Sequence, residues 1–251
     1  MANQAHLNFL LAGALPWQEW RAQNPDLIPD LSTSNLEGIN LRGANLQGAN
    51  LRGANFRGAK LIHLNLQGAD LSHAHLERSQ LWHGNLRSAL LLNTSLVGAQ
   101  LYRADLRGVE AIAAQFSEAD LTEADLSNAN FIGADFRDAI APAADLSYAN
   151  LRRVNLTRAN LIGANLNHAQ LQQANLNSVE GLNSHFYAAN LQQAQLSYAH
   201  LSGSYFYGAD LQNADLHQTD FRWADLTKAN LIATDTTHTQ LRGANLTKVS
   251  F

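Results

Sequence analysis

From residue 31 onward a large apolar side chain returns at every fifth position. In "NLRGANLQGANLRGANFRGAKL", residues 40–61, these are Leu41, Leu46, Leu51, Phe56 and Leu61. An α-helix repeats at 3.6 residues and a strand at 2, so neither explains a period of five. Stepping by five from Leu31 to Phe251 visits 45 positions, of which 33 are Leu and 8 are Phe. The exceptions are Ala111, Ala141, Gly181 and Thr236. Two residues before this central position, Ala fills 29 of 44 places, and one residue before it Asn or Asp fills 28 of 45. Two residues after it lie 13 of the 16 glycines. The phase never slips, which is the mark of a repeat array rather than of a globular alternation of helices and strands.

The columns predict their own roles. The central Leu or Phe points inward and stacks on its equivalents, each burial stabilising by roughly 1.5–3 kcal/mol. The residue two before it also points inward, near a corner that admits little more than Ala. Glycine two after the centre suits a turn that needs positive φ, and Asn or Asp just before the centre can bond nearby backbone. The remaining positions are polar and face outward.

The units "GANLQGANLRGANF" and "EADLTEADLSNANF" resemble the A-[D/N]-L-x-x repeat of the pentapeptide-repeat proteins, over residues 31–251. The resemblance implies an all-β solenoid, a right-handed quadrilateral β-helix with four pentapeptides per coil and about 11 coils. At the strand spacing of about 4.8 Å the coils make a rod on the order of 50 Å long. It also implies a non-enzymatic protein whose partners are other proteins. Some family members, including those that protect gyrase from quinolones, are acidic rods whose surface mimics DNA, which is the alternative reading.

Residues 1–30 are expected to form an α-helical cap over one open end, with residues 31–251 as the β-helix. "HLNFLLAGALPWQEWRAQNPDLIPDL" offers short helices near 5–12 and 16–23, with Pro16 suited to a first helical position and Leu7, Leu10, Leu11, Trp17 and Trp20 as the apolar face. This segment resembles the caps of cyanobacterial pentapeptide-repeat proteins. At the other end, Leu241, Leu246 and Phe251 are left to close the core, or to pair tail to tail with a second copy.

An unbroken phase places residues twenty apart above one another, so the sequence reads as a surface map. Ile62, Trp82 and Tyr102 fall in one outward column, with His63, His83 and Arg103 beside them. Aromatic and arginine side chains together are what interface hot spots favour. A second column holds Leu92, Ile112 and Ile132, with Leu90 beside it, and continues into Gln172, Gln192 and Gln212, an expected amide ladder. Ala111, Ala141 (followed by Pro142) and Gly181 are expected to be local bulges or thin spots in the core.

Charge changes the picture only locally, because the whole chain carries a net charge of −4. Glu110, Glu118, Asp120, Glu123, Asp125, Asp135, Asp138 and Asp145 form an acidic band broken by Arg137 alone. Residues 31–109 are mildly basic, but the basic residues alternate with acids, which argues against direct nucleic-acid binding. No metal, cofactor or catalytic constellation is expected. The 10 histidines, among them His73 and His75, are scattered over outward positions, and no glycine-rich phosphate loop precedes a helix. With no cysteine, no apolar run of membrane length and no basic segment ahead of "LNFLLAGALPW", a cytoplasmic protein without a signal peptide is expected.

Overall fold

The computed structural model describes residues 2–251. The chain is a solenoid of parallel single-residue bridges, each joining residues twenty apart, from Asp30↔Asn50 to Asn230↔Ser250. Four five-residue units therefore separate one bridged position from the next, and no extended segment among the described residues is long enough to form a strand.

The five positions of the unit give the backbone donors distinct, repeating acceptors. The central N–H donates to the next layer, as Leu31 does to the Asn50 carbonyl at 2.8 Å, and the residue two after it does the same, Thr33 to Arg52 at 2.8 Å. The residue before the centre donates to the layer below, Asn50 to Pro29 at 2.8 Å, and the residue three after the centre closes the turn, Ser34 to Leu31 at 3.3 Å. The fifth N–H has no main-chain acceptor. Where Asn or Asp stands two residues back its side chain meets this donor, as Ser32 N donates to Asp30 Oδ1 at 3.1 Å and Ser147 N to Asp145 Oδ1 at 2.9 Å. This is why an Asx side chain recurs before the centre: it satisfies the one donor the solenoid cannot.

Every turn has positive φ at its third residue only, the type II signature. Thirteen of these residues are glycines and 31 are not, with φ between 51° and 75° throughout. The strain is general rather than confined to one site.

Inside, the central Leu and Phe and the flanking Ala form one continuous buried column. Hydroxyls that enter it find acceptors. Ser34, Ser79 and Ser184 donate to the carbonyl three residues back at 2.6–2.7 Å, while Thr94 and Thr219 reach the previous layer at 2.7 and 2.8 Å.

The small centres are not bulges, since the bridges of Glu110, Ile140 and Glu180 keep the offset of twenty. Two are compensated by a large side chain in the following layer. Phe131 follows Ala111 in register and meets the stacked pair Phe116–Phe136 edge-on, with centroids 5.7 and 5.2 Å away. Leu201, which follows Gly181 in register, leans into the space that Gly181 leaves, beside the stacked Phe186–Phe206 pair, and one layer further on Phe221 meets Phe206 edge-on at 5.1 Å. At Ala141 the neighbours leave space unfilled. A closed apolar void of about 10 Å³ remains among Leu121, Phe136, Ala139, Ala141, Ala159 and Leu161. We expect Ala141→Val to fill it and stabilise the protein by about 1 kcal/mol, read as a raised thermal midpoint. A lowered midpoint would show that the void has already been closed by the neighbours.

At the N-terminal end, α1 (Gln4–Leu11) and α2 (Ala14–Gln23) lie over the first layer. Asn3 caps α1, accepting from Ala5 N and His6 N. Trp17 and Leu10 are fully buried, and the Trp17 indole donates to the Asn45 carbonyl at 2.7 Å. Asp30 N donates to His6 Nδ1 at 3.0 Å, and Asn3 N to the Asp30 carbonyl at 2.9 Å, tying the helices to the solenoid. Because α2 starts at Ala14, Pro16 is its third residue rather than its first; it is still within the first turn, where its missing N–H costs nothing. No helix among the described residues is long and apolar enough to cross a membrane.

Candidate interaction face

Each side of the solenoid is a shallow floor between two ridges of turn residues. On the side centred on Leu81 and Leu101 the floor carries Gln80, Gln100 and Asp120. One ridge carries Trp82, His83, Tyr102 and Arg103, and the other carries Gly98 and Glu118. Trp82, His83, Gly98, Gln100, Tyr102, Glu118 and Asp120 enclose a groove of about 590 Å³.

The aromatic ridge is ordered by its own contacts. His63 stacks on His83 at 5.1 Å, His83 meets Tyr102 edge-on at 5.6 Å, and the Arg103 guanidinium lies 5.1 Å from the Tyr102 ring centre. Arg103 also pairs with Glu123 at 2.6 Å, and that bond holds the guanidinium above its ordinary pKa. Trp82 is 39% exposed, whereas Ile62 is buried and offers nothing to a partner.

The acidic band is largely neutralised. Glu123 pairs with Arg103, Asp125 with Arg107 at 3.6 Å, Asp135 with Arg137 at 2.6 Å and Asp138 with Arg158 at 2.6 Å. The Arg158 hydrogen bonds hold the Asp138 carboxyl below the usual range; burial pushes Asp135 up, but its bonds to Arg137 outweigh that. Glu110 accepts from Asn130 at 2.8 Å and Asp145 from Asn165 at 3.0 Å. Glu118 and Asp120 alone face the groove.

The amide ladder does not run through Gln172, Gln192 and Gln212. Gln172 bonds Gln170 at 3.0 Å and Gln192 bonds Asp210 at 2.6 Å. The rungs are instead asparagines before the centre, such as Asn55 to Asn35 at 3.0 Å and Asn65 to Asn45 and Asn85 to Asn65, both at 3.1 Å. Leu90 and Ile112 remain exposed at 37% and 39%, without a groove beside them.

A second aromatic surface lies on the side centred on Leu166, Phe186 and Phe206, and the column reading did not single it out. Tyr148 stacks on His168 at 4.7 Å, His168 meets Tyr187 at 5.2 Å, and Tyr187 stacks on Tyr207 at 5.5 Å. His185 stacks on Tyr205 at 4.7 Å before the same centres. The signal was present, since both Tyr187/Tyr207 and His185/Tyr205 are twenty apart. The stacked rings cover one another's faces, so this surface reads first as cross-layer stabilisation.

At the C-terminal end Leu241 is half-buried, and Leu246 and Phe251 are 36% and 69% exposed. Among the described residues no three His, Cys, Asp or Glu side chains converge as metal ligands do.

The chain belongs to the pentapeptide-repeat family: the model for "Pentapeptide repeats" matches in 8 copies over residues 34–72, 69–108, 112–141, 143–177, 184–222 and 224–251. Solved structures similar to it include HetL, described as a pentapeptide repeat protein involved in heterocyst differentiation regulation, from the cyanobacterium Nostoc. HetL is 29% identical over 92% of this chain and 96% of its own, with a TM-score of 0.38. QnrB1, a plasmid-mediated fluoroquinolone resistance protein, is 21% identical over 84% and 91%, with a TM-score of 0.36. Rfr23 from the cyanobacterium Cyanothece is 24% identical over 62% and 90%, with a TM-score of 0.18. At these TM-scores none of the three bears on function. No curated protein matches the chain.

Proposed function

We propose that this protein is a non-enzymatic, cytoplasmic protein–protein interaction module: a right-handed quadrilateral rod of about eleven coils that engages a partner through the groove beside Trp82 and Tyr102. The observation that carries this reading is the convergence of two aromatic side chains, a histidine, an amide and two carboxylates on one groove of about 590 Å³. Other surface recesses among the described residues, such as that beside Arg57 and Arg78 and those beside Arg21, have no aromatic side chain in their lining. Catalysis has no support, because an open groove does not exclude water from a reacting group. DNA mimicry is the weaker reading, since four of the eight acids in the band are already paired with arginines.

The test is capture of partners from an extract of the native cells by wild type and by Trp82→Ala/Tyr102→Ala. Both side chains lie outside the core, so the variant keeps its thermal midpoint. We expect it to lose the captured protein at least about ten-fold, as hot-spot truncation does. The same proteins captured in the same amounts by both would overturn the reading.

The C-terminal end supports a second contact. Leu246 and Phe251 present apolar surface beside unpaired bridge positions, and a two-fold, tail-to-tail contact with another copy covers both at once. Light scattering at tens of micromolar, an order-of-magnitude working concentration for a modest interface, is expected to give a dimer mass for wild type and a monomer mass for Phe251→Glu. A monomer mass for wild type refutes the pairing.

A further inference from the structure

Within the acidic band, Glu118 and Asp120 stand apart from their neighbours. Glu123, Asp135 and Asp138 each pair with an arginine, Asp125 shares Arg107 with Asp105, and Glu110 and Asp145 are bonded by asparagines, whereas Glu118 and Asp120 make no ion pair among the described residues and line the groove. Asp120 Oδ1 accepts from Thr122 N at 3.0 Å and Thr122 Oγ1 at 2.6 Å, leaving Oδ2 free. On the floor between them and the aromatic ridge, Gln100 Oε1 is buried and accepts no hydrogen bond from the protein. The groove thus gathers acceptors on one side and the Trp82 and Tyr102 rings on the other. Gly98 keeps the wall low between Glu118 and the floor.

The rim of the groove shows what such a set binds. Arg103 lies over the face of Tyr102 while its guanidinium bonds Glu123 at 2.6 Å. Aromatic face and carboxylate together hold one arginine there, and the groove repeats that pair of elements without one. A planar guanidinium stacks on a ring and donates in a fixed fork to carboxylate and amide oxygens, which an ammonium does less well.

We propose that the groove is an arginine-recognition site, taking the guanidinium of an exposed arginine on the partner protein between Trp82 or Tyr102 and the carboxylates of Glu118 and Asp120. This rests on the groove being the interaction surface.

The experiment is a fluorescence titration of the full chain with a blocked hexapeptide carrying one central arginine, against the same peptide carrying citrulline, which keeps the shape and removes the charge. Trp82→Phe supplies the baseline. Saturable binding by the arginine peptide is expected, at least about ten-fold tighter than by the citrulline peptide. Glu118→Gln/Asp120→Asn is expected to abolish that preference. No saturation by the arginine peptide up to about 10 mM, equal binding of the two peptides, or an unchanged preference in the double variant would each overturn the proposal. Capture from extract separates it from the reading on which it rests. A partner lost by Trp82→Ala/Tyr102→Ala but kept by Glu118→Gln/Asp120→Asn leaves the interaction surface standing and removes the arginine.

Discussion

Phe131→Asp is expected to leave the middle of the rod unfolded at 25 °C. Phe131 has no exposed surface and closes the space above Ala111, edge-on to both Phe116 and Phe136. Truncating such a ring costs about 3–5 kcal/mol by itself. A carboxylate in its place has no donor within the Leu and Phe column and adds a further penalty of several kcal/mol. In a solenoid each layer is stabilised only by its neighbours, so the loss is not shared across the molecule. Thr122→Asp, at a partly exposed turn position, is expected to cost less than about 1 kcal/mol. Far-ultraviolet circular dichroism on both variants decides the matter, and a folded Phe131→Asp with the wild-type midpoint would show that the central column does not point inward.

Replacing Ala113, Ala143, Ala188 and Ala233 together with Gly is expected to stabilise the protein, against the usual sense of that substitution. All four alanines are exposed and sit at the third residue of a turn, with φ of 55°, 54°, 51° and 57°. A Cβ in this conformation costs about 1–2 kcal/mol, and the greater freedom of Gly in the unfolded chain returns about 0.5–1 kcal/mol of that. The net gain is about 0.5–1 kcal/mol per site. The sites share no contacts, so their effects add to about 2–4 kcal/mol, or a rise in Tm of roughly 5–15 °C. An unchanged or lower Tm would mean that these turns bear no strain.

The core was legible because its rule is one-dimensional. A Leu or Phe at every fifth residue states where the interior is without reference to any other part of the chain. The role of Asn and Asp before the centre was legible only in part. Their bond to nearby backbone follows from residue type, but the asparagine ladder between layers does not. The column of Gln172, Gln192 and Gln212 looked like the better candidate. Those glutamines are longer and sit on turns, so each finds a different partner, whereas the short asparagine side chain is held by its own turn and meets its equivalent in the next layer.

The groove was half legible. Reading residues twenty apart brought Trp82, His83, Tyr102 and Arg103 together, because they share one ridge. Its other wall, Gly98 and Glu118, belongs to the neighbouring ridge, and a column of identical register cannot show a space that lies between two columns. The place of Ile62 on the turn predicts an outward side chain, yet it is buried, and burial depends on neighbours as well as on position. Equally, Ala111, Ala141 and Gly181 looked alike in sequence. What distinguishes them is how far the following layer fills the space, with Phe131 over Ala111 and Leu201 against Gly181 but a void left at Ala141.

The constant offset of twenty between bridged residues has a consequence for how such a chain tolerates changes in length. One or two inserted residues have to be looped out at a turn if the Leu column is to stay inside in the layers that follow. Five would leave the interior whole and carry all later residues round to the adjacent side, so that Trp82 and Tyr102 no longer shared a ridge and Glu118 left the groove. Twenty would restore every alignment but set the two halves of a surface one layer further apart. Core and surface thus obey different arithmetic. Duplication in fives is neutral for stability and disruptive for recognition, and only whole layers can be gained or lost without rewriting what the molecule presents on each side.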